Sequence, residues 1–269
     1  MANDLQRTSD WYLARKGKIT ASECYVLLNN SKVAMTEEEL AEWKKANPKS
    51  RVTTKEVPFS SGTYTYLDEK VAELFMPENA FLEYMEECKP SNRAMQWGTF
   101  FEDGARNTYM EATGYEVLDS PFVNLKGYEK FAGGSPDGII RISPNDHQKI
   151  ESELNGIIEI KCPFNPAVHL KHFLFEKPED LRNDNIQYYT QCQYNMMCVE
   201  NELGYPIDFC DFISYDPRTS KSKQLKVIRI PADKEMQKIL LERTMLAIEY
   251  LREQIGRINN MNAIIKKYN

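Results

Sequence analysis

Two short segments carry residue types that can do chemistry together. Gly133-Gly-Ser-Pro-Asp137-Gly sets an aspartate in a turn, and Glu159-Ile-Lys161 brings a glutamate 22 positions later. In an extended strand, residues i and i+2 point to the same side. Glu159 and Lys161 should therefore project together while Ile160 points into the core. Asp137 stands where a loop enters the preceding strand, and Gly138 permits a sharp bend there. If segments 138–143 and 157–161 pair as a hairpin, Asp137 and Glu159 converge at one end. Two carboxylates and a lysine at one point form a hard-oxygen site for Mg²⁺ with a cation beside it. That grouping suits phosphodiester hydrolysis. A metal can activate water and shield the phosphate, and a second ion about 4 Å away can stabilise the leaving oxygen. The lysine would orient the water or stabilise the pentacovalent charge. The same residues also fit a turn aspartate beside a solvated Glu–Lys pair, so the pattern alone does not decide.

The rest of the chain must position these groups. It has 269 residues and a mass of 31.3 kDa, with apolar and charged fractions near globular averages. Thirty-four Lys and Arg against 40 Asp and Glu give a net charge of −6. That sum argues against a nucleic-acid partner, but carboxylates gathered to hold metal count against it, and two divalent cations would bring it to about −2. Where the basic residues lie matters more than their number. No apolar run approaches the ~18 residues of a membrane span, and the start lacks an apolar leader, so a soluble cytoplasmic protein is expected. The six cysteines include no C-x-x-C pair. Reduced, mostly buried thiols are expected, in preference to disulfides, zinc or an iron–sulfur cluster.

Trp11 and Arg15 lie four apart and share a face if residues 8–16 are helical. Gly17 breaks that helix, and Thr20-Ala-Ser-Glu23 reads as a capping box opening a second one through Leu28. Residues 31–62 are polar, with another capping box at Thr36–Glu39, and read as a surface excursion too poor in apolar residues for a core. Helices are expected at 64–75, up to Glu87, and at 94–113, where Trp97, Phe101, Ala105, Thr108 and Ala112 make a stripe ending at Gly114. Strands follow near 115–125, 138–143 and 157–161, with a polar turn at 144–155. Helices at 168–175 and 183–199, a strand pair at 209–215 and 224–230, and a long helix capped by Asp233 complete the chain. This order predicts one α/β domain over 1–269, with a mixed central sheet flanked by helices.

Five segments in order resemble the lambda-exonuclease group of the PD-(D/E)xK nucleases, also known as YqaJ-type viral recombinases. They are Trp11-Tyr-Leu-Ala-Arg15 through Ser22, Trp97-Gly-Thr-Phe-Phe-Glu102 through Arg106, Ser135-Pro-Asp137-Gly, Glu159-Ile-Lys161-Cys-Pro-Phe164, and Tyr188-Tyr-Thr-Gln191 through Tyr194. Tyr215-Asp-Pro-Arg218 also resembles the matching strand end. The likeness spans about residues 8–255, apart from the 31–62 excursion. It implies a restriction-endonuclease-like core. It also implies metal-binding carboxylates at Asp137 and Glu159, the Ile160 carbonyl as a further ligand, Lys161 as the catalytic lysine and Glu102 completing the site. The cofactor would be Mg²⁺, with Mn²⁺ as a substitute, in two sites. Arg15 and Ser22, with Ser135, would hold a DNA 5′-phosphate, and Gln191 would close one side of the site. The family's basic residue soon after E-x-K is missing between Asn165 and Val168, where His169 and Lys171 are nearest. The activity implied is digestion of one strand of linear duplex DNA from its 5′ end, leaving a 3′ tail for a single-strand annealing protein. A trimeric ring would retain the substrate without ATP, in keeping with the lack of a P-loop. The rival readings are an internal or single-strand-specific nuclease of the same superfamily and a catalytically silent DNA-binding subunit. The strip Arg218, Lys221, Lys223, Lys226 and Arg229 is either a solvated edge or a DNA-facing wall.

Overall fold

The computed structural model describes residues 8–88, 91–141 and 155–268, without the side chains of Arg141 and 262–268. In chain order the elements are α1 (Ser9–Arg15), β1 (Ile19–Thr20), β2 (Ser31–Ala34), α2 (Glu37–Ala46), β3 (Thr54–Val57), α3 (Ser61–Phe75), α4 (Glu78–Glu87) and α5 (Arg93–Thr113). Then come β4 (Glu116–Leu118), β5 (Val123–Asn124), β6 (Ala132–Gly134), β7 (Gly138–Arg141), β8 (Gly156–Lys161), α6 (Pro166–His172), α7 (Pro178–Asp184), α8 (Ile186–Leu203), β9 (Phe209–Tyr215), β10 (Leu225–Pro231) and α9 (Lys234–Tyr268).

Five strands form a mixed sheet in the order β10-β9-β8-β7-β4. β8 and β9 are parallel, joined by a crossover through α6–α8, and the other neighbours are antiparallel. The alternation within β8 divides the core in two. Ile157, with Cys210, Phe212 and Ile228, packs on the face covered by α8 and α9. Ile158, Ile160 and Ile213 pack on the opposite face against Ala105 and Tyr109 of α5. Glu159 and Lys161 share the parity of Ile157, so both face α8. The helix signals behave as read: Thr36 and Glu39 make the reciprocal capping box, Gly114 closes α5 at φ 75°, and the Asp233 carboxylate accepts the Met236 N–H.

Several expectations need correction. Thr20–Glu23 caps no helix. Ile19 and Thr20 are a strand paired in parallel with Ala132 and Gly133. The Thr20 hydroxyl donates to the Glu23 carboxylate (3.2 Å), and only a 3₁₀ turn, Cys24–Leu28, follows. Pairing across more than a hundred residues outweighs the local capping signal. The 31–62 excursion carries, besides the expected capped helix, an unexpected strand pair, with β2 and β3 antiparallel from Ser31↔Val57 to Ala34↔Thr54 around α2. No residue of α2 is buried, as its polarity required. The expected strand at 115–125 splits into β4 and β5, which belong to different sheets. α7 had no forecast, and the turn at 144–155 lies outside the described residues except for Asn155. All six cysteines are free, five of them buried.

Candidate active site

β7 and β8 pair with Gly138 opposite Ile158, and the Asp137 N–H donates to the Ile158 carbonyl (3.1 Å). The expected convergence follows. Asp137 Oδ2 accepts the Ile160 N–H at 2.6 Å, just beyond the end of β7. The N–H and C=O of one strand residue leave on the same side, so the Ile160 carbonyl points to this open end too. Glu159 is buried and held on both oxygens. Lys161 Nζ and Gln191 Nε2 each donate to Oε1 at 2.7 Å, and Asn195 Nδ2 donates to Oε2 at 2.9 Å. Three donors use three of a carboxylate's roughly four acceptor positions.

Burial and the charge of Asp137 push the Glu159 carboxyl up to about 7, against the pull of Lys161 and Asn195. Burial also raises Asp137, opposed by Lys161, the Ile160 N–H, Arg106 and Arg15. Burial alone would lower the Lys161 ammonium, but Glu159 and Asp137 outweigh it and raise it. Two buried carboxylates brought together beside a lysine mark a candidate cation or proton site.

The two glycines before Asp137 have separate tasks. β1, β6 and β5 form a small sheet in which Thr20, Gly133 and Asn124 are register neighbours and share a face. A Cβ on Gly133 would lie 2.4 Å from the Phe122 ring, so this glycine makes the bed for Phe122. A Cβ on Gly134 would lie 2.4 Å from Asn195 Oδ1, so this one admits the amide that holds Glu159. Ser135 returns to the face of Gly133.

That face opens into a cavity of about 720 Å³ lined by Arg15, Thr20, Ser22, Glu102, Phe122, Ser135, Asp137, Glu159, Ile160, Lys161 and Gln191, among others. Every residue singled out from the sequence for catalysis, metal or phosphate thus lines one space. The Arg15 guanidinium lies 3.6 Å from the Trp11 ring centroid and 4.9 Å from that of Phe122, and donates to the Trp11 carbonyl (3.0 Å). Burial pushes it down to about 10. Ser22 is exposed at the rim, its Oγ 3.2 Å from Thr20 Oγ1. Gln191 is no helix-surface amide, because it is buried against Glu159.

Glu102 reaches the cavity from α5 and, after burial, is the next cause that pushes the Cys162 thiol up to about 12. Its neighbour Arg106 turns instead to Asp119 Oδ1 (2.7 Å) and to the Asp137 carbonyl. Among the described residues no three His, Cys, Asp or Glu side chains stand close enough to hold a metal ion. Glu102 therefore shares the cavity with Asp137 and Glu159 without closing a three-carboxylate cluster. The donor chemistry still fits a hard divalent cation, with two carboxylates and the Ile160 carbonyl and water at the other positions.

Sequence reading missed Asn195 and Phe122, and it quoted Arg106 without the contacts to Asp119 and the Asp137 carbonyl that the structure gives it. The spacing of Gln191 and Asn195, one helical turn apart, was the available signal for the first. His169 and His172 are buried and converge on Ser214 Oγ, each Nδ1 at 2.8 Å, while His169 Nε2 meets the Lys223 carbonyl (2.7 Å). They pin α6 to β9. The basic strip is largely engaged within the fold. Arg218 pairs with Asp216 and lies 4.0 Å over Trp97, Lys226 donates to the Phe175 carbonyl, and Arg229 pairs with Asp211.

The geometry coincides with a family pattern. Residues 10–202 match the model of the YqaJ-like viral recombinase domain. The chain belongs to this family. Among solved structures, an alkaline exonuclease, LHK-Exo, from Laribacter hongkongensis is 25% identical, with a TM-score of 0.66 over 96% of this chain and 100% of that one. The same enzyme in complex with dAMP gives 24% and 0.65 over the same shares. A phage related exonuclease from Haemophilus somnus 129PT, 15% identical with a TM-score of 0.54 over 90% and 96%, shares the fold. No protein of curated function matches. The restriction-endonuclease-like α/β fold expected from the sequence is the one observed.

Proposed function

We propose that this protein is a divalent-metal-dependent DNA exonuclease that degrades one strand of linear duplex 5′ to 3′ and leaves 3′ tails for single-strand annealing. The observation that carries the reading is the meeting of Asp137, Glu159 and Lys161 at the end of β8, in a cavity that Arg15 also lines. Family membership and the likeness to an alkaline exonuclease support it.

Asp137, Glu159 and the Ile160 carbonyl, approached by Glu102, would hold Mg²⁺ or Mn²⁺, as one ion or two. The metal supplies water activation and charge shielding at the scissile phosphate. The protein's own groups do the rest. Gln191 and Asn195 fix the Glu159 carboxylate in one rotamer. Lys161, charged and tethered to Glu159, can orient the attacking water and offset charge at the phosphorus. Arg15, stacked between two rings, is pre-aimed for bidentate binding of a terminal phosphate, with Ser22 and Ser135 as additional hydroxyl donors. A trimeric ring and an annealing partner belong to the same proposal.

Lys161→Ala tests the catalytic assignment. Cleavage should fall at least about 10³-fold while Mn²⁺ and duplex binding persist. Retained cleavage would remove Lys161 from the mechanism.

A further inference from the structure

A DNA 5′-phosphate carries about two negative charges near neutral pH, and one arginine offsets half of that. The other cations that line the cavity are engaged: Lys161 by Glu159, and Lys70 by Glu73 (3.2 Å) and Glu23 (3.5 Å). Lys18 differs. Its Nζ lies 5.1 Å from the Phe122 centroid, on the same ring that Arg15 approaches at 4.9 Å, so the two charges lie within about 10 Å of each other. Its hydrogen-bond acceptor is a neutral amide oxygen, Asn124 Oδ1 at 2.6 Å. Among the described residues neither Lys18 nor Arg15 makes an ion pair, and burial lowers the pKa of both.

The register sets the direction. Ile19 is buried in the core, so in extended backbone Lys18 and Thr20 lie on the opposite side. Thr20, Phe122 over Gly133, and Asn124 all occupy that face, and it is the face that opens into the cavity. Gly17, at φ 68°, turns the chain between the two cations. Two partly buried cations thus share one aromatic ring, and among the described residues no carboxylate lies within ion-pair distance of either, although Arg15 feels the charge of Asp137.

The geometry points to Lys18 as the second cation of the terminal-phosphate site, reaching from Asn124 across Phe122 to share the 5′-phosphate with Arg15. This rests on the reading of the cavity as the seat of a DNA 5′ end. Asn124 holds the ammonium with an acceptor weak enough to give it up, and Phe122 sets the spacing of the two charges.

The test is the ratio of kcat/KM on 5′-phosphorylated to 5′-hydroxyl duplex ends, measured for wild type, Arg15→Ala, Lys18→Met, Lys18→Arg and Asn124→Asp. Lys18→Met should lower the ratio about tenfold, and Lys18→Arg should keep most of it. Asn124→Asp keeps the lysine but ties it to a carboxylate, so it should lower the ratio too. A ratio unchanged in Lys18→Met and Asn124→Asp, with Arg15→Ala collapsing it, would overturn the assignment of Lys18 alone. A wild type without preference for phosphorylated ends would overturn the phosphate reading and the assignment together.

Discussion

Asn195 shows what one buried amide is worth at this site. It supplies the only described donor to Glu159 Oε2, and the carboxyl it supports is already pushed up to about 7 by burial and by Asp137. Asn195→Ala removes that donor and frees the carboxylate to rotate. Supporting groups of this kind typically cost 10–100-fold in metal affinity, so Mn²⁺ affinity by calorimetry should fall by about that factor. Affinity equal to wild type would show that Gln191 and Lys161 suffice. The contrast with Asp137, Glu159 and Lys161 explains what was legible. Their chemistry follows from two-residue periodicity within one strand and a turn beside it, which is local information. Asn195 and Phe122 gain their roles only when α8 and the β1-β6-β5 sheet close around two glycines. Only the one-turn spacing of Asn195 from Gln191 hinted at the first, and nothing around Pro121-Phe122 hinted at the second.

Elements were readable in proportion to their length. α5, α9, β9 and β10 declare themselves by periodicity and caps, because their stability is spread over many residues of one pattern. β1, β5 and β6 have two or three residues each and exist through pairing between distant segments, so capping and turn signals misled there. Their interior is nevertheless tight. Gly134→Ala would set a Cβ 2.4 Å from Asn195 Oδ1, and overpacking of this kind costs about 1–3 kcal/mol. Denaturant unfolding should show that loss, and unchanged stability would mean the helix yields freely.

The seam of α6 on β9 carries a pH dependence. Burial pushes His172 down to about 4, with His169 and Lys171 adding to it and Asp184 opposing. The unfolded chain, near the ordinary 6.5, therefore binds a proton that the folded one refuses. Stability from this group is complete above about pH 6.5 and declines as pH falls towards 4. The loss is up to about 3 kcal/mol. His172→Gln should flatten that part of the stability–pH curve. A slope identical to wild type would place the titration elsewhere.

At the scale of the molecule, a net charge of −6 did not exclude a nucleic-acid substrate, because the charges are sorted. Carboxylates converge at the end of β8, while Arg15, which lines the cavity, and Lys18 meet one aromatic ring and make no ion pair among the described residues. The strip around Arg218 and Arg229, which composition left open as a DNA wall, is largely spent on Asp216, Asp211 and the rings of Trp97 and Phe209. Total charge could not distinguish these two groups of cations, and the fold does. We propose that this cavity admits a DNA end and works inward from its 5′ terminus. The most direct test is digestion with Mg²⁺ of linear duplex labelled at one end, with covalently closed circles in parallel. Progressive loss of the 5′-ended strand, a surviving 3′ tail and intact circles are predicted. Nicked or linearised circles would contradict it and show a nuclease that cuts internally.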